Sequence, residues 1–260
     1  MINKILYKTL RSILKKFNYR LIKKENESLD FQYPEYTKEE LKIIETAKLF
    51  TMTSYQKLNC LLRSIQHVNN KNLEGDFVEC GVWKGGNLIL FKNMMTKLNI
   101  TNKSIYAFDT FEGMSKPTDI DVDIRFNKQK AYDLMKNSVK DYNIHNIHSY
   151  YPIEKVRENL INNCNEIENI KLIKGDVLKT LLISENIPDK ISILRLDTDW
   201  YESTKIELEI LFPKLVKDGI LIIDDYGDYL GCKKAVDDYF KDKKFNIFKV
   251  DSGARMLIKS

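Results

Sequence analysis

Four apolar runs in this sequence end in carboxylates: Glu79, Asp109, Asp197 and the pair Asp224-Asp225. Runs of this kind, alternating with helical patterns, predict strands of a mainly parallel sheet. The C-terminal ends of such strands share one edge, and ligands bind there where the strand order reverses. Carboxylates scattered along the chain are therefore expected to converge in space. In a partly buried cleft they repel one another and resist desolvation, and a divalent cation removes that cost. An all-oxygen ligand set suits Mg2+, Mn2+ or Ca2+ rather than zinc. Asp197, Asp224 and Asp225, from two neighbouring strands, are the expected ligands. The competing expectation is that Asp224 or Asp225 caps the following turn. Asp199, in Asp199-Trp200-Tyr201-Glu202, fits a capping box and is expected to cap a helix.

A second stretch with chemical meaning is Gly75-Asp-Phe-Val-Glu-Cys-Gly-Val-Trp-Lys-Gly-Gly86. It predicts a strand, a tight turn and a helix N-terminus. Gly81 lets a ligand approach the backbone where a side chain would clash. The helix start offers free N–H groups and a positive dipole end. The spacing Glu-x-Gly-x-x-x-Gly is not the Gly-x-Gly-x-x-Gly of dinucleotide dehydrogenases. It is closer to the nucleoside-binding turn of S-adenosylmethionine-dependent methyltransferases. Asp109 follows Glu79 by 30 residues, at the end of the second strand, where a carboxylate accepts bonds from ribose hydroxyls.

These residues need a scaffold, and its elements are legible. A helix begins at Thr37, capped by a box with Glu40, and runs towards Phe50; a second continues through Leu58, Leu61, Leu62 and Ile65. The helix after the turn carries Leu88, Leu90, Phe91, Met94 and Met95. Strands are expected at 104–109, 170–174, 191–197 and 219–223, the last apolar throughout and so buried on both faces. Helices lie at 153–160 and around Leu208–Leu215 and Val236–Phe240. Segments 245–250 and 255–259 predict a closing antiparallel pair turned by Asp251-Ser252-Gly253. Residues 115–150 are irregular apart from a helix near 129–140, and a stretch of that kind in an α/β domain is usually functional or mobile.

The formal charge of +5 belongs to one end of the chain. Residues 1–24 hold eight Lys or Arg and no acid, leaving 34 basic against 37 acidic residues, a net of −3, over 25–260. The main domain is thus not expected to bind nucleic acid. Ile2, Ile5, Leu6, Leu10, Ile13, Leu14, Phe17 and Leu21 recur at helical spacing among those charges. Such a helix suits either peripheral contact with an anionic membrane or packing on its own domain or a second subunit. The four cysteines lie far apart, which fits a reducing cytoplasm and excludes a disulfide framework.

On these residues the chain resembles the macrocin O-methyltransferase family of sugar O-methyltransferases. The likeness rests on Thr51-Met-Thr-Ser54, the turn at 75–86, Phe108-Asp-Thr-Phe-Glu-Gly113, Val156-Arg-Glu-Asn159, Gly175-Asp-Val177, Leu196-Asp-Thr-Asp-Trp-Tyr-Glu-Ser-Thr204 and Ile223-Asp-Asp-Tyr-Gly227. It implies a class I methyltransferase: an α/β, Rossmann-like fold with a seven-stranded, mainly parallel sheet and flanking helices. Residues 1–36 become an N-terminal extension and linker, and 37–260 the catalytic domain with a helical lid. It implies S-adenosylmethionine as donor, contacted by Thr53, Glu79, Gly81, Gly85, Asp109 and Asp176. It implies Mg2+ on Asp197, Asp224 and Asp225. A histidine base upstream of the Val-Arg-x-Asn helix maps onto His148 or His145, with Asp197 as the alternative base. The expected reaction is methyl transfer to a hydroxyl of a sugar or glycan acceptor, in a homo-oligomer. Rival expectations are a catechol-like phenol as acceptor, a nicotinamide oxidoreductase, and a membrane-associated binding protein without activity.

Overall fold

The structure, a computed structural model, describes residue 14 and residues 33–125, 128–242 and 245–260. The basic helix and linker expected before residue 33 lie outside these residues, residue 14 apart. Two compact units divide between Leu41 and Lys42. The first ends in the start of helix α1 (Lys38–Lys48). Its capping box is reciprocal, as expected. The Thr37 N–H donates to Glu40 Oε2 at 2.9 Å, and the Glu40 N–H donates to Thr37 Oγ1 at 3.2 Å.

The second unit is built on one seven-stranded sheet. Its strands are β1 (Asp76–Cys80), β2 (Ile105–Asp109), β5 (Ile170–Lys174), β6 (Ile191–Leu196), β7 (Leu215–Ile223), β8 (Phe248–Lys249) and β9 (Arg255–Ile258). The order across the sheet is β5-β2-β1-β6-β7-β9-β8. The first five are parallel, and β9 runs antiparallel between β7 and β8. This is the expected class I methyltransferase sheet. The closing pair forms as expected, with β8 shorter than its apolar run. β1 pairs with β2 on one side and β6 on the other, so the order reverses there and a crevice opens at the strand ends. All six residues of β6 are buried, Arg195 among them.

Helices α2 (Tyr55–Asn70) and α3 (Gly86–Lys97) pack together, and Phe77 of β1 stacks on Phe91 of α3 at 5.1 Å. Beyond the sheet lie α5 (Ile153–Asn163), α6 (Val177–Thr180), α7 (Tyr201–Leu211) and α8 (Leu230–Phe240). Ser54 caps α2 by accepting the Lys57 N–H at 3.2 Å. The irregular region contains α4 (Ala131–Lys136) and a small ribbon, β3 (Val122–Asp123) with β4 (Gln129–Lys130). Two-residue strands carry no readable period, so the ribbon was not legible. It is tied to the loop after β7: the Ile124 N–H donates to the Asp228 carbonyl at 2.9 Å, and Asp123 bridges to Tyr229. Among the described residues no helix is long and apolar enough to cross a membrane.

Candidate active site

The turn after β1 is shaped by close approach. Gly81 has φ +89°, and a Cβ there would collide with the carbonyl oxygen of Asp197 at the end of β6. The ends of two neighbouring strands meet at this glycine, and only a residue without a side chain fits. Asp109 organises the same turn. Its Oδ2 accepts the N–H groups of Val82 at 2.7 Å and Trp83 at 3.0 Å, and its Oδ1 accepts that of Phe111 at 2.6 Å. Burial raises its pKa against the pull of these three donors. The expected ribose-gripping carboxylate is thus engaged with backbone and acts as the turn's template, although it lines the cavity.

Beneath the turn lies Arg195, 1% exposed. Its Nη1 is 2.8 Å from Glu79 Oε1 and 2.8 Å from Asp197 Oδ2, and its Nη2 is 2.6 Å from Asp224 Oδ1. Nη2 also donates to Thr53 Oγ1 at 3.3 Å. On the far side of Asp224, Lys57 Nζ sits 2.6 Å from Oδ2. Both oxygens of Asp224 are therefore held by cations. Burial works against its charge, but Arg195 and Lys57 outweigh it and hold its pKa below the ordinary value.

The other carboxylates behave differently. Asp197, Asp199 and Asp225 each place one oxygen within 4.8 Å of the others. Among the described residues, Asp225 Oδ2 is buried and has no hydrogen-bond partner. Burial and the neighbouring Asp199, Asp197 and Asp224 push Asp225 well above the usual range; burial pushes Asp199 to about 7. Carboxylates facing one another, whose ionisation is opposed by burial and mutual repulsion, fit a hard divalent cation. Of the expected set, Asp224 is engaged by Arg195 and Lys57, and Asp199 stands with Asp197 and Asp225 in the group that could hold a cation.

Asp199 reaches that position because it is not a helix cap. Its φ is +64°, and Trp200 precedes α7 without a side-chain cap. The Tyr201 N–H is capped instead by Asp121 Oδ1 at 2.8 Å, from the irregular region. A cap supplied from 80 residues away leaves no local signal.

These groups open into one cavity of about 1050 Å³. Thr53, Gly81, Asp109, Asp176, Asp197, Asp199, Asp224 and Asp225 line it. Glu79 and Gly85 do not. Glu79 is fully buried, its Oε1 also accepting from Asn87 Nδ2 at 3.0 Å. Gly85, φ +87°, leaves room for Val156 of α5. Asp176 caps α6 through the Leu178 N–H at 3.0 Å. His148 is off the cavity too, its Nε2 3.2 Å from the Ser138 carbonyl oxygen. His145 lines the cavity and stacks on Trp83 at 5.1 Å, its pKa lowered by burial and by Lys84.

Residues 11–256 match the Macrocin-O-methyltransferase (TylF) family. The chain belongs to the macrocin O-methyltransferase family. It is an O-methyltransferase. Demethyldecarbamoylnovobiocin O-methyltransferase of Streptomyces niveus is 31% identical over 196 residues, covering 74% of this chain and 68% of that protein. A tetracenomycin rhamnosyl 4'-O-methyltransferase of Streptomyces olivaceus is 30% identical over 193 residues, covering 73% and 67%. The solved structure of the O-methyltransferase NovP is similar with a TM-score of 0.68 at 26% identity, covering 81% of this chain and 82% of that one.

In this family member the residues that sequence reasoning missed are the cations. Arg195 was visible as a lone charge inside the apolar run Ile191–Leu196, where only a partnered cation is tolerated. Lys57 gave no such signal, because a lysine beside Leu58 reads as the solvated edge of an amphipathic helix.

Proposed function

We propose that this O-methyltransferase transfers the methyl group of S-adenosylmethionine to a hydroxyl of a sugar or glycosylated acceptor, with a hard divalent cation at Asp197, Asp199 and Asp225. The observation that carries this reading is the contact at Gly81: the nucleoside-type turn abuts the end of β6, from which Asp197 and Asp199 face the same cavity. The relatives, named for methyl transfer to a novobiocin precursor and to a rhamnosyl group, support the acceptor class. NovP, by its name, supports O-methyl transfer on this fold.

The chain's own residues divide the work. Gly81, Val82, Trp83 and Asn87 line the cavity beside the turn and are assigned to the amino-acid end of the donor. Asp176 and Val177 line the cavity and are assigned to the donor's base, and Thr53 lines it from the segment before α2. When bound, the cation relieves the repulsion among the three aspartates and makes a neighbouring hydroxyl more acidic. Asp197, held by Arg195 at one oxygen and 27% exposed, is the base we assign for the hydroxyl proton. His148, its Nε2 3.2 Å from the Ser138 carbonyl oxygen and outside the cavity lining, is the second candidate for that role. Holding the hydroxyl oxygen in line with the methyl group supplies much of the rate, and no covalent enzyme intermediate is needed.

The test is an acceptor panel of rhamnosides, other glycosides with adjacent hydroxyls, and catechols, with labelled donor, in Mg2+ and in EDTA. Mg2+-dependent labelling of a glycoside is expected. Labelling of catechols alone overturns the acceptor class, and full activity in chelator with metal verified absent overturns the cation.

A further inference from the structure

Glu207, on α7, is fully buried, and neither the turn nor the carboxylate group accounts for it. Among the described residues its hydrogen-bond partners are Thr198 and Cys80, and it forms no ion pair. The Thr198 hydroxyl donates to it, 2.9 Å from Oε1 and 3.1 Å from Oε2. The Cys80 thiol bonds it from the end of β1. An acid buried without a cation is costly to keep, and burial pushes its pKa well above the usual carboxylate range.

The geometry gives that cost a purpose. Thr198 lies between Asp197 and Asp199. Thr198 lines the cavity with them, and its hydroxyl is turned to Glu207. The Thr198 carbonyl is held as well, accepting the Trp200 N–H at 2.7 Å and the Ser203 hydroxyl at 3.2 Å. These bonds over-determine a loop in which Asp199 sits at φ +64°, a conformation that costs a non-glycine residue free energy. Cys80, the other partner, accepts the Asp197 N–H on its carbonyl at 2.8 Å and precedes Gly81.

We propose that Glu207 is a positioning residue that acts through Thr198 to hold Asp197 and Asp199 towards Asp225. It rests on the cation assignment above, yet it concerns where two carboxylates stand, which can be measured without turnover. Partners behind a metal's ligands are typically worth about 10–100-fold in metal affinity.

The experiment titrates Mn2+ into the full chain by electron paramagnetic resonance, alongside S-adenosylhomocysteine binding by calorimetry and thermal melting. Thr198→Val keeps the side-chain shape and removes the donor. Glu207→Gln keeps a polar partner for Thr198, and Glu207→Leu removes it. Thr198→Val and Glu207→Leu are expected to lose about tenfold or more in Mn2+ affinity. Glu207→Gln should stay within about threefold of the parent, and S-adenosylhomocysteine affinity should be unchanged in all three. Crystal structures of the variants should show Asp199 displaced in Thr198→Val and in place in Glu207→Gln. Folded Thr198→Val with unchanged Mn2+ affinity and an unmoved Asp199 overturns the proposal, as does a variant set in which only the melting temperature moves. If the parent protein binds no Mn2+, the cation assignment falls, and the position of Asp199 in Thr198→Val still decides the role of Glu207.

Discussion

Lys57 Nζ lies 2.6 Å from Asp224 Oδ2, joining the first turn of α2 to the end of β7 across 167 residues of chain. Arg195 holds the opposite oxygen, so Asp224 carries two buried ion pairs and is the electrostatic keystone of the crevice. Lys57→Met should destabilise the protein by about 3 kcal/mol, the low end for breaking a buried pair, because Arg195 still compensates the aspartate. Asp224→Asn should cost a similar amount, leaving two cations under-compensated. The double variant should cost less than the sum, with a coupling of about 1–3 kcal/mol. Urea unfolding of the four proteins measures the cycle, and strict additivity contradicts the pairing.

Asp225 should respond with the opposite sign. It faces Asp197 and Asp199 with an oxygen that, among the described residues, has no partner. Asp225→Asn removes repulsion and supplies a donor, so in EDTA it should stabilise by about 1 kcal/mol, the value of one made hydrogen bond. Saturating Mg2+ should raise the melting temperature of the parent and leave that of Asp225→Asn almost unchanged. Equal Mg2+ responses in calorimetry would remove Asp225 from the cation site.

Gly81→Ala should uncouple the turn from the sheet. Its φ of +89° is costly for alanine, and the added methyl would run into the Asp197 carbonyl. The left-handed penalty of about 1–2 kcal/mol falls on stability, and relief of the collision should displace the turn and weaken S-adenosylhomocysteine binding. Unchanged affinity by calorimetry in a folded variant would show that the donor is not held at this turn.

Glu79 sets a pH dependence. Burial raises its pKa from 4.5 to about 7, although Arg195 lies against it, because that guanidinium is shared with Asp197 and Asp224. A folded-state pKa above the unfolded value means stability that is full below about 4.5 and is lost as pH rises through about 7. Glu79→Gln should flatten the unfolding free energy across that window. A parent-like slope in the variant would assign the dependence to another group.

Much of the molecule was determined by the sequence alone. Apolar runs alternating with helical patterns dictate a parallel sheet, and its topology brings the strand-end carboxylates to one edge whatever lies between them. The Gly81 turn, the Thr37–Glu40 box and the closing antiparallel pair follow from local spacing, because turns and caps are chosen by neighbouring residues. Only the tertiary structure decided which oxygens are spoken for. Asp224 and Asp225 are adjacent in the chain, yet Lys57 and Arg195 reach only the first, and they arrive from α2 and β6. Asp199 reads as a cap until Asp121, from a distant loop, caps α7 in its place. Asp109 stands where a ribose carboxylate should, and three backbone N–H groups of two loops occupy it. Charge compensation and hydrogen-bond saturation are settled between elements remote in sequence, so the pattern that places a carboxylate at an edge cannot say whether it remains open to a ligand.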